Sequence, residues 1–365
     1  MVQPDQNPAA SRLEADERQG EAAGLAPFWS EPVRGAHPDP HVFGLAGIEQ
    51  LRRQMAGESP ESPLSRLTGM RLAEITPGEA EFTMPLTGWL AGADGLISPG
   101  PLAIPADAAM ACAIMSRLPA GTPFTTSEMT LRVLSPVRPG GHLRARGRVL
   151  SAGPPAALAE VAVHDDTGTL IAHGSSLCMT LPRLSAPPAQ SCPDPGDPLE
   201  DSPDPWERPA PETPGLMAGA SWLDQLVAQI DGERSATPLE QFTGLAPRSA
   251  GSGESGYTLP ASPWFCAPPP GRLQGGVTIT LVEAAIFGAL RTPLSTDHPF
   301  HPVELKVNLL RPLASDGRLA SAHGELLHSG RRVAVGRGEV RDASGRVIAV
   351  ATGSALLGEA VVGEH

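Results

Sequence analysis

Lysine is almost absent: Lys306 is the sole lysine in 365 residues, and arginine carries nearly all the positive charge. With the many Ala, Gly and Pro residues, this reads as the coding bias of a GC-rich genome. Cysteine is scarce, and none of Cys112, Cys178, Cys192 and Cys266 forms a CxxC or stands at metal-ligand spacing from a histidine. Buried thiols in a reducing compartment are expected, with no metal site. No apolar run reaches the ~18 residues of a membrane span. The N-terminal MVQPDQNPAASRLEADERQG is polar and acidic, unlike a secretory leader, so a cytoplasmic location is expected. GxGxxG, P-loop, GxSxG and HExxH are all missing, which removes the common dinucleotide, phosphoryl-transfer, serine-hydrolase and zinc-protease readings.

Proline (41) and glycine (40) are abundant, which points to irregular segments among folded ones. The net charge of −13 is unevenly placed: residues 1–42 carry −4 and residues 182–214 carry −5. The remainder is nearly neutral, so no nucleic-acid-binding face is implied. Both acidic stretches lack hydrophobic period and are expected to be disordered or extended, with few buried side chains. Residues 43–181 and 219–358 are then two folded domains. They are flanked by an N-terminal segment (1–42), a Pro-rich linker (182–218) and a short tail (359–365).

The two domains repeat one another. IEQLRRQMAGESPESPLSRLTGM from Ile48 matches LDQLVAQIDGERSATPLEQFTGL from Leu223. Gln50/Gln225, Gly57/Gly232, Pro63/Pro238 and Trp89/Trp264 keep an offset of 175. The offset becomes 176 at Asp107/Glu283, Glu128/Glu304 and Pro136/Pro312, and 177 at Gly168/Gly345. Single-residue shifts confined to loops are what a duplicated domain accumulates. Each copy reads as an amphipathic helix, two short alternating strands and a Gly/Pro loop. A helix apolar on all sides follows (PADAAMACAIMS, VTITLVEAAIFGAL), then three long strands, the last a hairpin. A helix apolar all round must be buried on every face, which an antiparallel sheet wrapped around it achieves.

That order, with GADGLISPGPLAIPAD and TTSEMTLRVLSPV in copy one and PPPGRLQGGVTITLVE and HPVELKVNLLRPL in copy two, resembles the PaaI-like acyl-CoA thioesterases of the hot-dog fold. The resemblance implies an α+β fold of two hot-dog domains, each an antiparallel sheet around a central helix, paired within one chain. Family members carry N-x-x-G-x-x-H-G-G entering the central helix, an acid further in, and a hydroxyl on the following strand. Here the family Asn falls on Gly92 and Pro268, and the His on Ser98 and Gln274. The first Gly of the closing pair is Pro99 or Gly275, the acid is Asp107 or Glu283, and the hydroxyl is Thr126 or Pro302. Neither copy matches in full.

The residues also have plain structural readings. With Pro105 at a first helical position, Asp107 would sit in the first turn, where an acid is favoured by ~0.3–1 kcal/mol. Glu283, among Leu281, Val282, Ala284, Ala285, Ile286 and Phe287, is costly to bury unless it is paired or its pKa rises. Gly275 and Gly276 suit a tight turn, or present N–H groups to an oxyanion. His298 and His301 read as surface residues, and Trp89 and Trp264 as packing beneath their loops.

The resemblance implies acyl-CoA hydrolysis at composite sites, the acid from one copy and the loop from the other. CoA enters as part of the substrate, with no cofactor, nucleic acid or membrane involved. An intrachain pseudo-dimer follows, and a further homo-oligomer is compatible with it. Asp107, Glu283, Thr126 and Gly275 are the catalytic candidates. Gly276, Gly100, Gln274 and Ser98 are the substrate-binding candidates. Because proline has no N–H, the position of the Pro99–Gly100–Pro101 loop that should donate to the oxyanion is empty, so the Asp107 site is expected to be the better equipped. A non-catalytic acyl-CoA-binding or assembly protein is the alternative. A hydratase or dehydratase ranks last, because no His lies between Gly92 and Asp107 or between Trp264 and Glu283.

Overall fold

The computed structural model describes residues 25–183 and 202–358. Copy one runs α1 (Gly47–Met55), α2 (Pro63–Thr68), β1 (Arg71–Thr76), β2 (Glu79–Pro85), α3 (Pro99–Met115), β3 (Phe124–Val133), β4 (His142–Ser151), β5 (Ala156–Asp165) and β6 (Leu170–Thr180). Copy two repeats it as α4 (Trp222–Ile230), α5 (Pro238–Thr243), β7 (Ala246–Gly251), β8 (Glu254–Pro260), α6 (Gly275–Arg291), β9 (Phe300–Leu309), β10 (Leu319–Ser329), β11 (Val333–Arg341) and β12 (Val347–Leu357). The offsets of 175, 176 and 177 carry through element by element.

All the strands join one antiparallel sheet in the order β1-β2-β4-β5-β6-β3-β9-β12-β11-β10-β8-β7. The copies meet at β3 and β9, where Arg132 faces Glu304 in register and pairs with it at 2.9 Å. Each copy thereby covers an edge that would otherwise be open to pairing with another chain. The two outer edges are short strands, each with a register irregularity, and β7 also carries Pro247. The sheet curls around α3 and α6, whose side chains are buried on nearly every face, from Leu102 and Met110 to Leu281 and Ile286. The two helices touch at glycines. A Cβ on Gly276 would lie 2.5 Å from Ile104 Cα, and one on Gly100 would lie 2.8 Å from Thr280 Cα. Since Gly100 is the counterpart of Gly276 and Ile104 of Thr280, the crossing has a pseudo-twofold axis.

Two expectations are corrected. Helix α3 starts at Pro99, not near Pro105, which lies inside it. Prolines at 99 and 101 fit because the first-turn N–H groups have no intrahelical acceptor in any case. Asp107 is therefore the ninth helical residue, and the first-turn explanation for it lapses. Gly275 and Gly276 likewise open α6 instead of preceding it.

The second correction concerns the acidic segments. Residues 1–24 and 184–201 lie outside the described residues. Residues 25–45 and 202–210, however, are anchored on the fold by a few buried side chains, Ala26, Phe28, Arg34, Asp204 and Pro205. Phe28 is fully buried, its ring edge-on to both Trp89 and Trp264 at 6.4 and 5.9 Å. The Ala26 N–H and Trp29 Nε1–H donate to Gln241 O. Arg34 donates to Ser202 O and pairs with Asp204, while Arg208 pairs with Glu31. A few aromatic side chains and paired charges hold this strap, although its mean composition is that of a tail.

Candidate active site

Asp107 and Glu283 occupy the ninth position of α3 and α6, each beside the N-terminus of the other helix. The Gly276 N–H donates to Asp107, and the Gly100 N–H donates to Glu283. This arrangement follows from the glycine crossing: with no Cβ at 100 or 276, the backbone N–H groups come within reach of the carboxylates. Asp107 also accepts from Thr126 Oγ1 (3.0 Å) and from Gln274 Nε2 (2.8 Å). Gln274 Nε2 donates to Ile104 O as well, at 3.0 Å. Glu283 accepts from Ser98 Oγ at 3.1 Å. The structure thus gathers the candidates into two clusters that each draw on both copies. One holds Asp107, Thr126, Gln274, Gly275 and Gly276, and the other holds Glu283, Ser98 and Gly100.

Burial dominates the electrostatics. It raises the Asp107 carboxyl to about 6, against the opposing hydrogen bonds from Thr126 and Gly276. It raises Glu283 to about 7, opposed by the Ser98 hydrogen bond and the Arg291 charge, with the Asp94 charge adding to the rise. Burial, reinforced by the Asp107 charge, pushes the Cys112 and Cys178 thiols up to about 12 and about 11, so neither is a thiolate at neutral pH. Cys192 lies outside the described residues.

The surroundings of the two carboxylates differ. A cavity of about 940 Å³ opens on Glu283, Ser98, Pro99 and Pro302, and Asp107 does not line it. The copies differ beside it, at the helix before each sheet. In copy one, Gly47 lets α1 close on the end of α3, where a Cβ would run into Met115 O. The counterparts in copy two are Trp222 and Arg291. The backbone hydrogen bond is the same, from Gly47 N to Leu118 O and from Trp222 N to Leu294 O. The side chains, however, differ, and Trp222 and Arg291 both line the cavity. The Arg291 guanidinium lies 4.7 and 4.6 Å from the ring centroids of Trp222 and Phe300 and pairs with Asp94 at 2.7 Å. His301, expected at the surface, is a correction: it is partly buried and lines this cavity. Arg291, Asp94 and Trp222 escaped the sequence reading. They could have been found by asking where the two copies disagree, because Gly47→Trp222 and Met115→Arg291 are drastic exchanges at matched positions. Trp89 and Trp264 are buried, each against the Phe28 strap as well as under its loop.

Among the described residues, no group of three or more His, Cys, Asp or Glu side chains is placed to hold a metal. None of the described helices is long and apolar enough to cross a membrane.

Sheet, central helices and paired composite clusters define a tandem hot-dog-fold protein. The thioesterase superfamily model matches the chain twice, over residues 95–172 and 270–349. The chain thus resembles the thioesterase superfamily in both halves. Among solved structures, a hot-dog-fold protein of unknown function from Alicyclobacillus acidocaldarius is similar at 12% identity and a TM-score of 0.51, over 82% of this chain and 100% of that one. A tesB protein from Mycobacterium avium subsp. paratuberculosis is similar at 11% identity and a TM-score of 0.51, over 81% and 98%. At these identities the likeness is one of fold. A search of curated proteins finds no match.

Proposed function

We propose that the chain is an acyl-CoA thioesterase and that hydrolysis takes place at the Glu283 composite site. The observation that carries this is a buried carboxylate, held by the other copy's Ser98 and Gly100 and raised to about 7, at the wall of a cavity of about 940 Å³. A general base works best with a pKa near the operating pH, and it needs room for both water and substrate beside it. Glu283 takes a proton from water as the water oxygen attacks the thioester carbonyl. The tetrahedral oxyanion then collapses, the C–S bond breaks, and the Glu283 carboxylic acid returns the proton to the leaving thiolate. The products are a carboxylic acid and a thiol, and no cofactor or metal is required. Asp107, its carboxylate enclosed by Thr126, Gln274 and the Gly276 N–H, serves in this reading as a buried strut of the helix crossing.

Pro99 stands against this site as a fast one. It occupies the position of Gly275 and has no N–H to offer an oxyanion. The donors present, Ser98 Oγ–H and Gly100 N–H, both rest on Glu283. That favours either slow hydrolysis or, as a second reading, binding of acyl-CoA without turnover. A panel of acyl-CoAs incubated with the protein, with free thiol measured, separates the two. Release that disappears in Glu283→Gln and persists in Asp107→Asn supports hydrolysis at Glu283. Release that depends on Asp107 assigns it to the other cluster, and none in the parent leaves the binding reading.

A further inference from the structure

The β10–β11 turn carries Arg331 and Arg332, both exposed and both lining the outer part of the Glu283 cavity. Most arginines of the strands are ion-paired, as in Arg146–Glu79, Arg148–Glu160, Arg337–Glu325 and Arg341–Glu339, and Arg248 donates to Thr258. Arg331 and Arg332 have no ion pair or side-chain hydrogen bond among the described residues. The acids of the cavity wall are engaged elsewhere: Asp94 with Arg291, Glu240 with Gln229 and the Thr237 N–H, and Glu283 with Ser98. His301, in the same wall, has a buried Nε2 without a partner. Among the described residues, the cavity mouth therefore carries positive charge without a paired acid, in a protein of net charge −13.

The duplication shows that the turn does not require arginine. Leu357 N donates to Arg332 O, and at the matched place Thr180 N donates to Pro155 O. The counterparts of Arg331 and Arg332 are thus Pro154 and Pro155, which carry neither charge nor donor. Position along the helix also separates the arginines from the reacting end. Arg291 lies eight residues beyond Glu283, roughly 12 Å at the helical rise. Phe300 lies against Arg291, and the turn lies beyond it, because Phe300 pairs with Leu357, which bonds Arg332 O. A thioester held at Glu283 whose carrier arm extends along this wall brings its phosphate end to the arginines.

We infer that Arg331 and Arg332 form a phosphate-binding subsite that selects thioesters on a phosphorylated carrier arm. The inference rests on the thioesterase reading above. The phosphates could be those of CoA or the single phosphate of a phosphopantetheinylated carrier protein. Guanidinium groups bind phosphate through charge-assisted, often bidentate hydrogen bonds, each a sizeable contribution where little else competes.

The experiment compares the parent with the Arg331→Ala/Arg332→Ala variant, the same acyl group being offered on CoA, on a carrier protein and on N-acetylcysteamine. Both side chains are exposed, so their truncation leaves the core intact. The expected result is a rise in KM for the phosphorylated carriers of roughly ten- to a hundredfold, with kcat held. Turnover of the N-acetylcysteamine thioester should be unchanged, and Arg→Lys at both positions should restore part of the loss. A loss seen with CoA alone, or with the carrier protein alone, identifies the source of the phosphate. An equal change on all three thioesters, or none, overturns the inference. Calorimetric titration with free CoA and with pantetheine keeps the test separate from catalysis. If the parent hydrolyses nothing, the thioesterase reading fails, yet weaker CoA binding in the variant with unaltered pantetheine binding still supports the subsite. Unaltered or absent CoA binding sinks it.

Discussion

Asp107 and Glu283 stand at the same position of matched helices, each receives an N–H from a matched glycine, and burial raises both above the usual carboxylate range. Yet one is enclosed by the Gln274 amide and the other faces a large cavity. Part of the difference lies beside the carboxylates, where Gln274 and Thr126 hold Asp107 but their counterparts at Glu283 are Ser98 and Pro302. The rest lies at the far end of the central helix, where Gly47 and Met115 in copy one match Trp222 and Arg291 in copy two, and at residue 99, which is proline where position 275 is glycine. The Asp107 cluster has the glycine N–H groups of copy two and lies outside the cavity. The Glu283 cluster has the space, and Pro99 of copy one denies it a backbone donor. A duplicated domain thus separates two requirements that a symmetric dimer must meet at every site.

The sharpest way to break this comparison is to neutralise each carboxylate. Glu283→Gln should lower kcat for acyl-CoA by roughly 10²–10⁴, the usual weight of a general base, while Asp107→Asn retains most activity. In the parent, kcat should climb with pH and level off above about 7, following ionisation of Glu283. A profile that levels off near 6, together with inactivity of Asp107→Asn, would transfer the chemistry to the other cluster. Next in size is a test of what the copies share. Phe28 lies against both Trp89 and Trp264, so Phe28→Ala should cost about 3–5 kcal/mol of stability, as for a buried aromatic. Denaturant titration reads this directly, and a cost under 1 kcal/mol would show that the strap is not part of the core.

Much of this was legible in the sequence. The repeat and the order of its elements follow from hydrophobic period and from a register held across the chain, while the pairing of each acid with the opposite loop is what the resemblance implied. Average composition misled at residues 25–42 and 202–210. Three aromatics, Phe28, Trp29 and Trp206, sit in Pro-rich acidic sequence that reads as a tail. Burial depends on where single large side chains fall, which a mean does not carry. The cavity was illegible for a related reason. The rise in pKa at Glu283 could be anticipated from its apolar neighbours, but the space beside it comes from residues distant in sequence, Trp222 and Arg291. Pro105 misplaced the start of α3 because proline at a first helical position is common, while a proline six residues inside a helix is rare.

A smaller expected effect, and one of opposite sign, sharpens the role of Pro99. Pro99→Gly supplies an N–H at the position where Gly275 has one. If an oxyanion forms beside Glu283, kcat should rise, by up to roughly a hundredfold for one added donor. Gly275→Ala is the companion. Its Cβ would lie 2.9 Å from Asp107 Oδ2, so it should perturb stability and leave kcat alone. A Pro99→Gly enzyme no faster than the parent, with its fold intact, would mean that residue 99 does not face the reacting oxygen.

Stability against pH tests the raised carboxyl pKa values without reference to catalysis. A carboxyl whose folded-state pKa exceeds its unfolded value binds more protons in the native state. Its stabilising contribution is complete below the unfolded value and is lost as pH climbs through the folded one. For Asp107 that window runs from 3.8 to about 6, and for Glu283 from 4.5 to about 7. Asp107→Asn and Glu283→Gln cannot ionise, so each should gain on the parent as pH rises through its window, by on the order of 1–3 kcal/mol in all. The Glu283→Gln curve should still be rising between pH 6 and 7, where that of Asp107→Asn has flattened. Urea unfolding of the parent and both variants between pH 4 and 8 gives the three curves. A flat or falling difference for either variant would mean that its carboxylate is stabilised in its charged form by the Ser98 or Thr126 hydroxyl and the facing helix N-terminus. Burial would then not be the dominant influence on that group.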